Sequence, residues 1–271
     1  MPAPVLITGG TGTLGRLVAS LLSGTGSPVR TLSRHPQPAS AGVEHVIGDL
    51  ASGDGIGAAL TDVTTVVHCA GTTTGDDELA RTLVRAARAA GVQHLVNVSV
   101  VGAADVPVVS AVDRAMFSYF ASKRAAELVV ADSGLPWTTL RATQFHDLVL
   151  TAAAALTKLP VVPVPVGVRF QPVAAADVAA RLVELSRGGP AGLVPDLGGP
   201  QVYPMADLVR SYLRSENRRR VLLPVTLPGR AARALRGGAN LAVTGRRGTG
   251  TWEEFLAARA GSAQPTTAAT R

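Results

Sequence analysis

Short runs of apolar residues alternate with stretches where apolar residues recur every three or four positions, and this alternation is regular through the first half of the chain. The short runs predict strands at Val5 to Thr8, Val29 to Ser33, Glu44 to Ile47, Thr65 to His68, Leu95 to Ser99 and Thr138 to Arg141. Leu14, Leu17, Val18, Leu21 and Leu22 share one helical face, as do Leu79, Leu83, Ala86, Ala87 and Ala90, so amphipathic helices follow the first and fourth strands. Strand, helix and strand in repetition predict a parallel sheet. Strands that are apolar throughout, rather than alternating, predict one covered by helices on both faces.

The first strand runs into Thr8-Gly-Gly-Thr-Gly-Thr-Leu-Gly15 and then into a helix. Gly9, Gly12 and Gly15 permit a tight turn, bare backbone where a pyrophosphate approaches, and close packing of helix on strand. The helix N-terminus supplies free N–H groups and partial positive charge for the phosphates. The fold class expected is therefore α/β, a Rossmann-type doubly wound parallel sheet, with dinucleotide contacts at Gly9, Thr11, Gly12, Thr13, Leu14 and Gly15. After Arg141 the regularity fades into Pro160, Pro163, Pro165, an amphipathic helix from Ala175 to Leu185, the turn Gly198-Gly-Pro200 and several basic helices. This reads as a small C-terminal substrate-side lobe. The organisation expected is a dinucleotide-binding core over 1–145, a lobe interleaved with it over 146–260, and a disordered tail over 261–271.

The second strand ends in Thr31-Leu32-Ser33-Arg34, where a site for NAD(H) usually carries an acidic residue that accepts from the ribose 2′-hydroxyl. Ser33 and Arg34 instead suit a 2′-phosphate, with Arg16 flanking it, so NADP(H) is favoured over NAD(H). A solvated loop cation is the alternative for Arg34. Asp49, followed by Leu50, is placed after the third strand to accept from an adenine amino group, or serves only a Gly-Asp turn.

Tyr119 and Lys123 lie one helical turn apart in Tyr-Phe-Ala-Ser-Lys and so project from the same face. The chain has only three tyrosines and two lysines, which makes this spacing a poor candidate for coincidence. The plain alternative is a tyrosine packed on the core and a lysine in solvent.

With these residues in order, the chain resembles the short-chain dehydrogenase/reductase superfamily: Thr8 to Gly15, Cys69-Ala70-Gly71, Asn97-Val-Ser99 and Tyr119 to Lys123. Ser99-Val-Val-Gly102, Tyr119 to Glu127 and Ser133-Gly-Leu-Pro-Trp-Thr-Thr-Leu-Arg-Ala-Thr-Gln-Phe145 resemble its atypical, NmrA-like branch, which holds both reductases and cofactor-binding regulators without turnover. The resemblance covers residues 4 to 200. It implies that Tyr119 protonates a substrate oxygen as hydride leaves a nicotinamide, that Lys123 holds the nicotinamide ribose and eases the phenol's ionisation, and that Ser99 orients the substrate. It further implies cofactor contacts at Cys69, Ala70, Gly71, Ala142, Thr143, Gln144 and Phe145, and a scaffolding role for Asp177. One departure stands out: Val100 occupies the place where superfamily reductases carry a second serine. The activity expected is reduction of a carbonyl or quinone-like, largely apolar small molecule, and the alternative is a non-catalytic NADP(H) sensor.

His146 and the apolar run Leu148 to Leu159 fit either a substrate wall or ordinary packing. His35, His45, His68 and His94 lack ligand spacing and Cys69 has no partner thiol, so no metal and no disulfide are expected. Absence of a signal-peptide pattern and a single cysteine point to the cytoplasm. Leu148 to Leu156 is too short to span a bilayer, so no membrane partner is expected. The net charge of +7 sits in residues 201–271, where twelve arginines face four acidic residues. With no nucleic-acid recognition motif beside them, a solvated face is expected, on a monomer or homodimer.

Overall fold

The structure is a computed structural model that describes residues 3–72 and 74–263. In chain order the elements are β1 (Val5–Thr8), α1 (Thr13–Gly24), β2 (Val29–Ser33), β3 (Val43–Ile47), α2 (Ile56–Ala59), β4 (Thr65–His68), α3 (Asp76–Ala89), β5 (His94–Val100), α4 (Ala111–Ala131), β6 (Trp137–Ala142) and α5 (His146–Leu156). There follow β7 (Val161–Pro165), β8 (Arg169–Phe170), α6 (Ala175–Arg187), β9 (Gly192–Leu193), β10 (Leu197–Gly198), β11 (Tyr203–Pro204), α7 (Met205–Ser215), β12 (Val221–Val225), α8 (Arg230–Gly237), β13 (Arg246–Arg247) and α9 (Trp252–Ala263).

The main sheet runs β13-β10-β6-β5-β4-β1-β2-β3, with β9 also on β6 and every pair parallel. Its first six strands have the doubly wound order, in which the chain reverses direction across the sheet between β1 and β4. Neighbouring residues of one strand serve opposite faces. Ile7, Val67 and Val96 pack with Leu14, Val18 and Leu22 of α1 and Val178 and Leu182 of α6. Leu6, Val66 and Leu95 pack with Ile56, Leu60, Leu83 and Val130 of the α2, α3 and α4 side. That is why the strands are apolar throughout. The six core strands fall where the apolar runs predict, with β3, β5 and β6 longer because Val43 pairs with Val29, His94 with Thr65, Trp137 with Leu95 and Val100 with Ala142. Buried His94 is accommodated by a 2.9 Å hydrogen bond to Thr138 Oγ1.

The second half of the chain divides its elements. β9, β10, β13 and α6 join the main sheet, whereas α5, α7, α9 and β7 build a separate core around fully buried Trp252, whose Nε1 donates to Ser211 Oγ at 2.7 Å. Asp177, in the first turn of α6, accepts from the N–H groups of Thr249 and Gly250 and from Thr249 Oγ1, which ties the segment after β13 to the sheet. His146 sits inside the lobe core, its ring 5.1 Å from that of Phe255 and 6.0 Å from that of Trp252. It packs as part of that core. The expected tail is helical at residues 261–263, where it completes α9, and residues 264–271 lie outside the described residues.

Candidate active site

At the carboxyl end of β1 the chain turns at Gly9, whose φ of +68° favours glycine. A Cβ there would meet the Ala70 backbone N at 2.7 Å, and one on Gly15 would strike the Gly9 carbonyl. The turn is closed by Gly12 N–H donating to Gly9 O at 3.0 Å, and α1 begins with no side-chain cap on its first N–H groups. Bare backbone and uncapped helix N-terminus make a fitting cradle for a pyrophosphate.

Beside it lies a cleft of ≈ 340 Å³ formed at the ends of β1 to β4. Gly9, Thr11, Gly12, Ser33, Arg34, Asp49, Leu50, Cys69, Ala70 and Gly71 line it. Thr13, Leu14 and Gly15 form the first turn of α1 behind. The Ser33 hydroxyl is engaged in its own turn, donating to His35 O at 2.8 Å and accepting from Gln37 Nε2 at 3.2 Å, and Arg34, exposed, is the cation that lines the cleft at this end among the described residues. Asp49 accepts from Ala51 N–H through Oδ1, which fixes a turn and leaves Oδ2 outside it. Arg16 is exposed on α1.

The Tyr119 and Lys123 side chains lie together on α4, Lys123 Nζ being 5.7 Å from the tyrosine ring centroid. Lys123 reaches the edge of the cleft: a Cβ on Gly71 would come within 2.7 Å of its Nζ. There it meets Asp76, the first residue of α3, with Nζ 2.8 Å from Oδ2. Asp76 is a site residue that strand and helix patterns do not single out. Its only sequence signal is the acidic helix start Asp76-Asp-Glu78. Burial raises the Tyr119 phenol above its usual value, against the effect of Lys123 and with that of Asp76. Next to them, burial and the Lys123 charge hold His68 down to about 4, and burial pushes the Cys69 thiol up to about 12. His68 Nδ1 is hydrogen-bonded to Thr8 Oγ1 at 2.6 Å, which links β4 to β1 below the glycine turn.

Ser99 and Val100 face opposite sides of β5. By strand alternation Ser99 shares the α3 and α4 side with Leu95, and Val100 shares the other with Val96. The Ser99 hydroxyl is buried against the Glu127 carboxylate, without a hydrogen bond of normal geometry. Burial works to raise the Glu127 carboxyl, but Arg141, Ser99 and Arg124 together hold it below its usual value. At the end of β6, Ala142, Thr143, Gln144 and Phe145 are tied to the lobe. Thr143 Oγ1 donates to Gln171 O at 2.5 Å, Gln144 Nε2 to Asn240 O at 3.4 Å, and Val173 N–H to Gln144 O at 2.9 Å. This segment lies apart from the walls of the 340 Å³ cleft.

Among the described residues no cluster of three His, Cys, Asp or Glu side chains is placed to hold a metal ion, and no helix is long and apolar enough to cross a membrane.

A doubly wound parallel sheet with a glycine turn and uncapped helix at its switch point defines a dinucleotide-binding α/β protein. The chain belongs to the NAD(P)H-binding family, which matches residues 9–187. It is 32% identical over 204 residues to a (4-alkanoyl-5-oxo-2,5-dihydrofuran-3-yl)methyl phosphate reductase of Streptomyces griseus, covering 73% of this chain and 68% of the relative. It is 28% identical over 230 residues to an NAD(P)H azoreductase of Xenophilus azovorans, covering 82% and 77%. The fold is also that of the NADPH-dependent quinone oxidoreductase QOR2 of Escherichia coli, solved with NADPH, with a TM-score of 0.74, 20% identity and coverage of 94% and 99%. The expected Rossmann-type fold and NAD(P)H-binding family are thereby borne out.

Proposed function

We propose that this protein is an NADPH-dependent reductase of a carbonyl or quinone-like, largely apolar small molecule, with Tyr119 as proton donor. The observation that carries the reading is the position of Lys123: its ammonium stands at Gly71, on the wall of the nucleotide cleft, and on the same helical face as Tyr119. The bound cofactor supplies the hydride. The chain's own residues do the rest: Gly9 and the α1 N-terminus hold the pyrophosphate, Arg34 meets the 2′-phosphate, and Lys123 holds the nicotinamide ribose. Tyr119 gives the phenolic proton to the substrate atom that gains negative charge, and solvent returns a proton to the phenolate. Phe117 and Phe120, on the same stretch of α4, face an apolar cluster with Val168 and Leu235 and supply the greasy surroundings. The named substrates of the Streptomyces relative and of QOR2, an alkanoyl oxo-dihydrofuran phosphate and a quinone, are unsaturated molecules that accept hydride.

The test is turnover of NADPH and NADH with quinones, ketones and aldehydes, comparing the native protein with Tyr119→Phe. A loss of about 10²- to 10⁴-fold in kcat is expected for a missing general acid. Undiminished turnover in Tyr119→Phe would refute the proton-donor role. A second reading, an NADP(H) sensor without turnover, is favoured by the orientation of Ser99 toward Glu127 and by Val100 in the second-serine position. Tight binding of NADPH with no oxidation by any of the panel would support it.

A further inference from the structure

Asp76 is held from two sides. Its Oδ1 accepts from Thr72 N–H at 2.6 Å and Thr72 Oγ1 at 3.1 Å, while Oδ2 faces Lys123. Its own N–H donates to Ser122 Oγ at 3.1 Å. Two consecutive residues of α4 thus grip the first residue of α3, one through its backbone and one through its carboxylate. The ion pair is dry, with side chains 12% and 4% exposed for Lys123 and Asp76, so neither charge is compensated by water.

The titratable groups around the Tyr119–Lys123 pair come from three places: α4 brings Lys123 and α3 brings Asp76, both of which act on the phenol, while the end of β4 brings His68, followed by Cys69, both of which feel the Lys123 charge. His68 is neutral and Cys69 protonated near pH 7, because burial favours the uncharged form of each. Asp77 and Glu78 pair outward with Arg81. Among the described residues, the charges that act on the phenol are those of Lys123 and Asp76, and they are opposite.

We propose that Asp76 is the positioning residue of the Tyr119–Lys123 pair, fixing the ammonium beside Gly71 and compensating its charge so that the phenol stays protonated. A protonated phenol donates; only a phenolate can take up a proton from an alcohol. The arrangement therefore suits the site to reduction rather than to the reverse oxidation. In that reduction the carbonyl carbon gains the hydride that a bound reduced nicotinamide would give up in becoming oxidised, the carbonyl π pair takes the proton from Tyr119 Oη, and the phenolate regains one from water. This inference rests on the proposed role of Tyr119, but the compensation itself is measurable in protein free of cofactor and substrate.

The experiment is an ultraviolet titration of tyrosinate, with Tyr119 isolated by subtracting the curve of Tyr119→Phe. In native protein its midpoint should lie above the ordinary tyrosine value of about 10. Asp76→Asn should lower it by about one pH unit, a tenfold rise in acidity, and Asp76→Glu should restore part of the shift. If turnover is found, the alkaline fall of kcat for reduction should move down with it, which a merely structural contact would not cause. A native midpoint at or below the ordinary value overturns the proposal, and this measurement does not require Asp76→Asn to fold. A folded Asp76→Asn with an unmoved midpoint overturns it equally. If the midpoints shift as expected while Tyr119→Phe keeps full turnover, the compensation stands and the proton-donor reading fails.

Discussion

Arg141 of β6 and Glu127 of α4 meet as a two-pronged pair, Nε to Oε1 and Nη2 to Oε2, both at 2.7 Å, with both side chains nearly buried. Arg124 adds a third contact to Oε2 at 3.1 Å. The pair clamps the helix that carries Tyr119 and Lys123 onto the sheet beside Ser99. Glu127→Gln keeps the shape and removes the charge, leaving a buried guanidinium without its counter-ion. A loss of about 3–5 kcal/mol is expected in urea unfolding. An unchanged unfolding midpoint would show that the clamp contributes nothing.

Acid should destabilise the fold through His68 as well as through Glu127. The folded His68 value of about 4 lies below its ordinary 6.5, so the unfolded chain binds the proton more readily. The stability due to its neutral form is complete above pH 6.5 and is lost as the pH falls toward 4, by roughly 3 kcal/mol at 1.36 kcal/mol per unit. Glu127, with a depressed value, acts in the same direction lower on the scale, its contribution present above the ordinary carboxylate range and lost below it. Urea midpoints measured from pH 7 to pH 4 should fall, and less steeply in His68→Gln. Equal slopes in the two proteins would rule out His68 as a source.

Arg34 should choose between the cofactors. Removing it in Arg34→Ala should weaken NADPH binding at least about tenfold, or about 1.4 kcal/mol, and leave NADH nearly unchanged. Titration calorimetry with both nucleotides measures this, and equal losses for the two would return Arg34 to the status of a solvated loop cation.

Gly9 tolerates no side chain. Gly9→Ala would put a Cβ against the Ala70 backbone in a left-handed conformation that itself costs about 1–2 kcal/mol. The expected result is a lower thermal midpoint together with loss of the stabilisation that saturating NADPH gives the native protein. Retained stabilisation would mean that the pyrophosphate binds elsewhere.

Asp177 should matter to stability and not to chemistry. Asp177→Ala removes three hydrogen bonds to Thr249 and Gly250, with an expected cost of about 2 kcal/mol for a partly exposed carboxylate. Faster proteolysis near residues 248–251, with unaltered nucleotide affinity, is the signature to look for.

The strand runs and the glycine turn were legible in the sequence because their causes are local. A strand buried on both faces is apolar nearly throughout, and a glycine such as Gly9 is favoured where the chain turns at positive φ against a neighbouring backbone. Tyr119 and Lys123 were legible for the same reason, since their spacing is a property of one helix. Asp76 was not. It meets Lys123 across 46 intervening residues, and nothing in the acidic start of α3 tells which of its three carboxylates turns inward. Ser33, read as a phosphate ligand, has its hydroxyl engaged by His35 and Gln37, because the turn after β2 folds back on it.

By itself, then, the sequence determined the layered parallel sheet, the bare backbone at Thr8 to Gly15 and the pairing of Tyr119 with Lys123 on one face. Tertiary structure alone decided what surrounds that pair: Asp76 on the ammonium, Ser99 turned to Glu127, and Thr143 and Gln144 tied to the lobe. Periodicity records which residues share a face of their own element. Which charges stand against which across the sheet depends on how the elements dock, and with that docking comes the burial that keeps the phenol a weak acid.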